Sequence, residues 1–293
     1  MKYIGICMKF KMSYEKKDTK LFLIIPVMLI IFSSSVFIVS RIDDGEWLDR
    51  GIDLTGGTSV TVYNSNISAK DIEIYLENKY GDLEVVIRYE FENEMNFEVG
   101  AQVNSTTLKT EIESISSGDV EVKEIGPTLG AVFQFQAILA VIVAFVLMSI
   151  VVFIRFLDPV ATGSIILAVL LDIFFAIAMV RFIGIRLNLH VIAGLLMLIG
   201  YAVDTNILLT TRVFKRKGDL YEKMDSSFET GFLMSMTSLC SISALLLFST
   251  SYIISEIAMV LIFGLLADFV NTWFLNAHIL KWYVNTGKAR VAE

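Results

Sequence analysis

The sequence predicts an α-helical polytopic membrane protein with six transmembrane helices and one α+β domain inserted between the first and the second. Three observations carry this. Of 293 residues, 55% are hydrophobic, and the mean hydropathy is +0.66, more than a water-soluble chain of this length distributes amphipathically. Six apolar segments, at residues 21–40, 132–154, 160–180, 188–209, 232–249 and 256–276, approach or exceed the roughly 20 residues needed to cross a hydrocarbon core. Between the first two lies a polar stretch, residues 41–131, long enough to fold and patterned like a small domain.

Residues 1–20 form a basic tail holding Lys9, Lys11, Lys16, Lys17 and Lys20, and Met8 and Met12 are alternative starts beside Met1. The first apolar segment reads as an uncleaved helix. It exceeds the roughly 7–15 apolar residues of an export signal, and Ser33-Ser34-Ser35 leads into more apolar residues instead of a small-residue cleavage site.

Within 41–131 the periodicity marks six elements. Residues 58–63 alternate as a strand, and 68–80 open on Ser68 and set Ile72, Leu76 and Tyr80 on one helical face. Residues 83–90 and 95–102 read as a hairpin around Glu92-Asn93-Glu94. Residues 105–116 place Leu108, Ile112 and Ile115 at helical spacing, and 120–125 alternate again. The order strand, helix, strand, strand, helix, strand predicts a ferredoxin-like sandwich, a fold that hosts many functions and settles none.

Charge sets the orientation. Lys- and Arg-rich short segments stay in the cytoplasm, which places the N-terminal tail inside. Six crossings then put the loop near 210–231, with Arg212, Lys215, Arg216 and Lys217, and the tail 277–293, with Lys281, Lys288 and Arg290, on the same side. Residues 41–131 fall outside; they carry 19 acidic against 7 basic residues, a net −12, whereas the whole chain is −7. Such acidity argues against a nucleic-acid partner. Arg181 and Arg186, also on the outer side, are the contrary sign.

The two cysteines, Cys7 and Cys240, and the two histidines, His190 and His278, lie far apart in sequence. Neither a disulfide framework nor a metal site is expected from them, and no cofactor is implied.

The polar residues inside apolar segments are the candidate functional residues. Asp204 lies in the inner half of the fourth segment. A carboxylate at mid-membrane costs about 2.5–3.5 kcal/mol on insertion scales, so it is rare and commonly functional; nearer a helix end it is simply solvated. Thr205 and Asn206 follow it, and Gly200 one turn earlier is small enough to admit a neighbouring helix. Asp172 lies mid-segment in the third crossing, either functional or bonded to a neighbouring helix. Asp268, with Asn271 one turn on, is a further intramembrane carboxylate, and Glu256 reads as interfacial. Gly51, Gly56, Gly57 and the Gly126-Pro127 pair answer a backbone need or mark a hinge. A phosphate loop is rejected, since no Gly-Lys-Ser/Thr ending follows. Arg212, Lys215, Arg216 and Lys217 read as a membrane-anchoring basic patch.

Four motifs in order give the chain a family. Gly51-Ile52-Asp53-Leu54-Thr55-Gly56-Gly57-Thr58 follows the first crossing, and Ile125-Gly126-Pro127-Thr128-Leu129-Gly130 enters the second. Ile154-Arg155-Phe156 with Asp172 accompanies the third, and Gly200-Tyr201-Ala202-Val203-Asp204-Thr205-Asn206 the fourth. On these the chain resembles the SecF family of the archaeal type, the smaller partners in SecD–SecF pairs that assist protein export, related in architecture to the resistance-nodulation-division transporters. The resemblance covers all but about the first 20 residues. It implies a SecD-type partner, association with a SecY-type channel, contact with the translocating polypeptide and with membrane lipid, and use of an ion or proton gradient. It implies no enzymatic activity. By the same resemblance Asp204, Thr205, Asn206 and Asp172 belong to the ion path, with Asp268 as a possible addition. The chain departs from bacterial members in two ways. Asp204 comes one residue early, a turn of about 100° around a helix, and Thr230 and Gly231 stand where those members carry an Arg in the fifth crossing. The rival reading is half of a small-molecule efflux transporter of the same superfamily, against which the single short external segment argues. An intramembrane enzyme is a further rival, with His190 its one candidate.

Overall fold

The computed structural model describes residues 23–43, 45, 47–63, 68–80, 86–91, 94–99, 105–116, 118–249 and 251–287. The basic tail with its alternative starts and Cys7, the hairpin turn at 92–93, and Lys288 and Arg290 lie outside the described residues, as do the side chains of Leu76 and Tyr80. Ten helices are described: α1 (Ile24–Asp43), α2 (Ile52–Thr55), α3 (Ala69–Tyr80), α4 (Ser105–Ile115), α5 (Pro127–Phe156), α6 (Pro159–Phe182), α7 (Leu189–Lys215), α8 (Leu220–Phe248), α9 (Tyr252–Val270) and α10 (Ala277–Asn285). A six-residue π turn, Asn271–Asn276, joins α9 to α10. The strands are β1 (Gly57–Tyr63), β2 (Val86–Phe91), β3 (Glu94–Val99) and β4 (Asp119–Ile125).

Six helices are long and apolar enough to cross a membrane: α1, α5, α6, α7, α8 and the continuous span Tyr252–Asn285. Their starts follow local chemistry. Pro159 opens α6 behind Asp158, whose carboxylate accepts from the amides of Val160 at 2.9 Å and Ala161 at 3.0 Å. Asn188 caps α7 by accepting from Val191 at 2.8 Å, and Asp219 caps α8 by accepting from Tyr221 at 3.0 Å. Three helices are about half buried and three are mostly exposed: α6, α7 and α9 form the inner layer, while α1, α5 and α8 lie outside it. α1 rests on α6 through Phe37 against Phe174 and Phe32 against Phe175, with ring centroids 5.1 Å and 6.2 Å apart.

The structure differs from the sequence reading at residues 210–231, expected as a loop. α7 runs on to Lys215 and α8 begins at Leu220, because Val213, Phe214, Met224 and Phe228 build their own apolar cluster with Trp273 and Leu280. The basic residues there make ties between helices. Arg212 donates to Ser226 and, at 2.9 Å, to Thr230, and Lys215 reaches the carbonyl of Arg155 at 3.2 Å.

The sheet is antiparallel, in the order β2-β3-β1-β4. Val60, Val62, Phe97 and Val120 from its strands enclose, with Ile72 of α3 and Leu108 and Ile112 of α4, one small core. This domain sits on the bundle. Gly51 donates to the carbonyl of Leu187 at 2.8 Å and Leu187 donates to that of Asp49 at 2.7 Å, a short parallel bridge. The contrary basic pair is engaged here: Arg181 binds Asp49 and Ser40, and Arg186 reaches Glu98 at 3.4 Å. Both arginines therefore answer the acidic segment across the joint.

The two glycine motifs meet. Gly56 takes φ +84°, and a Cβ at Gly130 would lie 2.6 Å from its amide nitrogen. Only hydrogen in place of a side chain allows α2 to lie against the first turn of α5 this closely. Gly51 sits against Asn188, where a Cβ would stand 3.1 Å from that residue's Cβ. Gly57 opens β1 at φ 151°, and Gly126 precedes Pro127, the first residue of α5.

Candidate functional site

α7 and α9 approach closely because Gly194 faces Val260 and Gly264 faces Leu198, where added Cβ atoms would come within 3.0 Å and 2.3 Å. The approach brings polar residues together in the middle of the inner layer. Asp268 of α9 accepts from Thr205 at 2.7 Å, from Asn206 at 3.1 Å and from Thr272 at 2.9 Å. Asn276 donates to the side-chain oxygen of Asn206 at 2.6 Å. Asp172 of α6 accepts from Asn271 at 2.7 Å. Asp172, Asp268, Asn206, Thr272 and Asn276 are fully buried.

Among the described residues, no basic side chain pairs with Asp172 or Asp268. Oδ2 of Asp172 and Oδ1 of Asn271 are buried without a hydrogen-bond partner. Two buried carboxylates thus share this interior with amide and hydroxyl groups, which solvate charge without supplying a counter-charge.

The π turn makes this possible. Inserting one wide turn after α9 sets Asn271 toward Asp172 of α6 and Asn276 toward Asn206 of α7, while Thr272 folds back onto Asp268 one turn earlier. Wide turns of this kind recur at functional sites.

Of the residues singled out from sequence, Thr205, Asn206, Asp172 and Asp268 lie in this cluster. Asp204 does not. It is exposed on the far side of α7, with Tyr201 and Met197 exposed on the preceding turns, and it makes no hydrogen bond or ion pair with any described residue. Gly200 also faces open space, so the glycines that admit a neighbouring helix are Gly194 and Gly264 instead. Thr272 and Asn276 were not singled out, although their positions 4 and 8 residues after Asp268 in an apolar run were a readable helical face. Beside the fifth-crossing position that lacks an Arg, the Arg212 guanidinium arrives from α7 to meet Thr230.

A family model described as protein export membrane protein SecD/SecF, C-terminal, matches residues 104–286. Among curated relatives, the protein-export membrane protein SecF of Thermococcus gammatolerans is 40% identical over 273 residues, covering 88% of this chain and 86% of that one. That of Pyrococcus furiosus is 39% identical over 94% of both, and that of Methanocaldococcus jannaschii is 35% identical over 94% and 99%. Among solved structures, SecDF from Thermus thermophilus, described as a translocon-associated membrane protein, shares the fold, with a TM-score of 0.76 and 20% identity. The match covers 91% of this chain and 38% of that one.

Fold, spans and relatives define a multi-pass membrane protein of the SecD/SecF protein-export class. Within it, the chain belongs to the SecF family.

Proposed function

We propose that this protein is the SecF subunit of a SecD–SecF complex that promotes polypeptide translocation across the cytoplasmic membrane, driven by an ion or proton gradient. The observation that carries the gradient reading is the buried pair Asp172 and Asp268 without a basic partner among the described residues. An ionised carboxylate in hydrocarbon is costly, so these oxygens are a place where a proton or a monovalent cation is taken up and released. Moving one charge across the membrane supplies about 2.3 kcal/mol per 100 mV, enough to bias a two-position domain.

Asp204 supports the partnership. A carboxylate on the outward face of an apolar helix calls for a protein surface, and a SecD-type subunit would cover it. Thr205 and Asn206, next to it in the chain, would then link the covered face to Asp268. The SecDF chain compared above is more than twice as long as this one, in keeping with a second half supplied by another subunit.

The sheet order, and the packing of α3 and α4 on the strands, support the ferredoxin-like reading of the sheet domain. We place it outside the cell because Arg212, Lys215 and Arg216 cluster at the opposite end of the bundle. Both termini are then cytoplasmic, and the domain is free to meet the emerging polypeptide beside a SecY-type channel. The role needs no enzymatic site and no cofactor.

The test is gradient-dependent secretion in a complemented strain, read with protein abundance. Asp268→Asn can turn its amide nitrogen toward Thr205, whose hydroxyl accepts as well as donates, so folding should persist while gradient-dependent secretion is lost. Full activity of both Asp268→Asn and Asp204→Asn at normal abundance would overturn the gradient reading.

A further inference from the structure

The basic run Arg212, Lys215, Arg216 and Lys217, uniform in sequence, is divided by the structure. Lys215 goes to the carbonyl of Arg155. Arg212 and Arg216 converge instead on one hydroxyl of α8, where the Ser226 Oγ accepts from Arg212 at 2.9 Å and from Arg216 at 3.1 Å. Arg212 also donates to the Ser226 carbonyl and, at 2.9 Å, to Thr230. Lys223 precedes Ser226 by three residues and Thr230 by seven, which puts it on the same helical face. It is only 4% exposed.

This corner between α7 and α8 has hydrogen bonds to give and no anion to take them. With two guanidiniums on its oxygen, Ser226 has only its own hydrogen left to offer, and the remaining N–H groups of Arg212, Arg216 and Lys223 are donors alone. Among the described residues, none of the three cations pairs with a carboxylate, and the Lys223 ammonium has no partner. Asp219, in the turn between the helices, accepts from the amides of Tyr221 and Glu222 at 3.0 Å and 3.4 Å. Asp225 and Glu229 of α8 bind none of the three. A buried cation without an anion is costly, so an anion from outside completes the corner.

Its depth says which kind. α8 has 29 residues, about 44 Å at 1.5 Å rise per residue, against a hydrocarbon core of about 30 Å. With the helix centred, about 7 Å at each end stands in the headgroup layer. Ser226 lies about 9 Å from the first residue, at the edge of the core. Seven and eight residues further along the same face, Leu233 and Met234 are 60% and 39% exposed. The face passes from donors at phosphate level to apolar side chains at the level of lipid tails.

We infer that Arg212, Arg216, Lys223 and Ser226 hold the phosphate of one anionic lipid from the leaflet at this end of the bundle, its tails lying along Leu233 and Met234. Guanidinium forks match phosphate oxygens, and the compact ammonium adds charge. A free phosphate or a partner's carboxylate would satisfy the donors but leave the apolar side chains above them unmatched. A diffuse basic surface attracts anionic lipid in proportion to its charge, whereas a built site depends on which cation is removed. The inference stands apart from the gradient reading and from the orientation of the chain.

The full chain, purified in mild detergent, is titrated with dioleoylphosphatidylglycerol or dioleoylphosphatidylcholine, and bound lipid is counted by native mass spectrometry. One phosphatidylglycerol should stay on each chain, with clear preference over phosphatidylcholine. Arg216→Gln, at an exposed position that folding does not need, should weaken it about tenfold, the loss of one charge-assisted contact. Lys217→Gln removes the same charge one residue on and should leave retention unchanged. Equal retention of the two lipids by the unsubstituted chain would overturn the site without any variant, and equal weakening by Arg216→Gln and Lys217→Gln would reduce it to a diffuse patch. Displacement of the lipid by excess inorganic phosphate would give the site to a free anion and overturn the lipid reading. Loss of a co-purifying SecD-type subunit in Arg216→Gln, with lipid retention unchanged, would give it to a partner's carboxylate and overturn that reading too.

Discussion

Asp204 and Asp268 are the same side chain on two packed helices, and their surroundings are opposite. Asp268 accepts three hydrogen bonds and is fully buried, whereas Asp204 faces outward and meets none. The sequence shows both carboxylates but not the rotation of α7, which a one-residue difference decides. If Asp204 is covered by a partner, Asp204→Leu should leave abundance unchanged or raised, since insertion is relieved of up to about 3 kcal/mol, while co-purification of the SecD-type subunit in mild detergent falls. Unaltered recovery of the partner would count against that placement. Thr272→Val should weaken the cluster from inside. It removes one donor to Asp268 and nothing else of comparable size, so a loss of about 1 kcal/mol in thermal stability is expected, read by size-exclusion survival after heating.

Among the elements, the clamp between α2 and α5 gives the sharpest expectation. Gly130→Ala drives a Cβ to within 2.6 Å of the Gly56 backbone, where neither chain segment has a flexible end to move. A cost of about 1–3 kcal/mol follows, seen as lower folded yield and an earlier melt. Gly200→Ala, with nothing within 4 Å, should melt with the unsubstituted protein. Equal melts for both variants would contradict the clamp. The six apolar segments were legible because hydrocarbon thickness sets a length that residue counting detects. The extension of α8 back to Leu220 was not, since Met224 and Phe228 are apolar positions in a polar stretch whose partners, Trp273 and Leu280, are distant in sequence. The π turn was also invisible. Asn271 and Asn276 read as ordinary helix until their separate partners, Asp172 on α6 and Asn206 on α7, are known.

For the molecule as a whole, the strand and helix order of the inserted domain could be read from alternation and helical spacing, and its docking could not. Arg181 and Arg186 looked like an exception to the charge asymmetry because their partners, Asp49 and Glu98, lie 132 and 88 residues away. Orientation is directly testable. A cysteine at Ser114 should react with a membrane-impermeant thiol reagent added to intact cells, and one at Gly218 should react only after lysis, both in a background without Cys7 and Cys240. The reverse pattern would put the domain in the cytoplasm and remove it from the emerging polypeptide.

The glycine clamp has a mechanical meaning as well. α5 runs unbroken for 30 residues from that contact to Arg155 and Phe156, a rod of about 45 Å at 1.5 Å rise per residue. A tilt of about 10° at the Gly56–Gly130 fulcrum displaces its far end by roughly 8 Å over that length. At that end Lys215 of α7 holds the carbonyl of Arg155. A rigid lever so attached would carry any rocking of the sheet domain to the opposite membrane face, at the end of the same helix that carries Thr205 and Asn206 to Asp268.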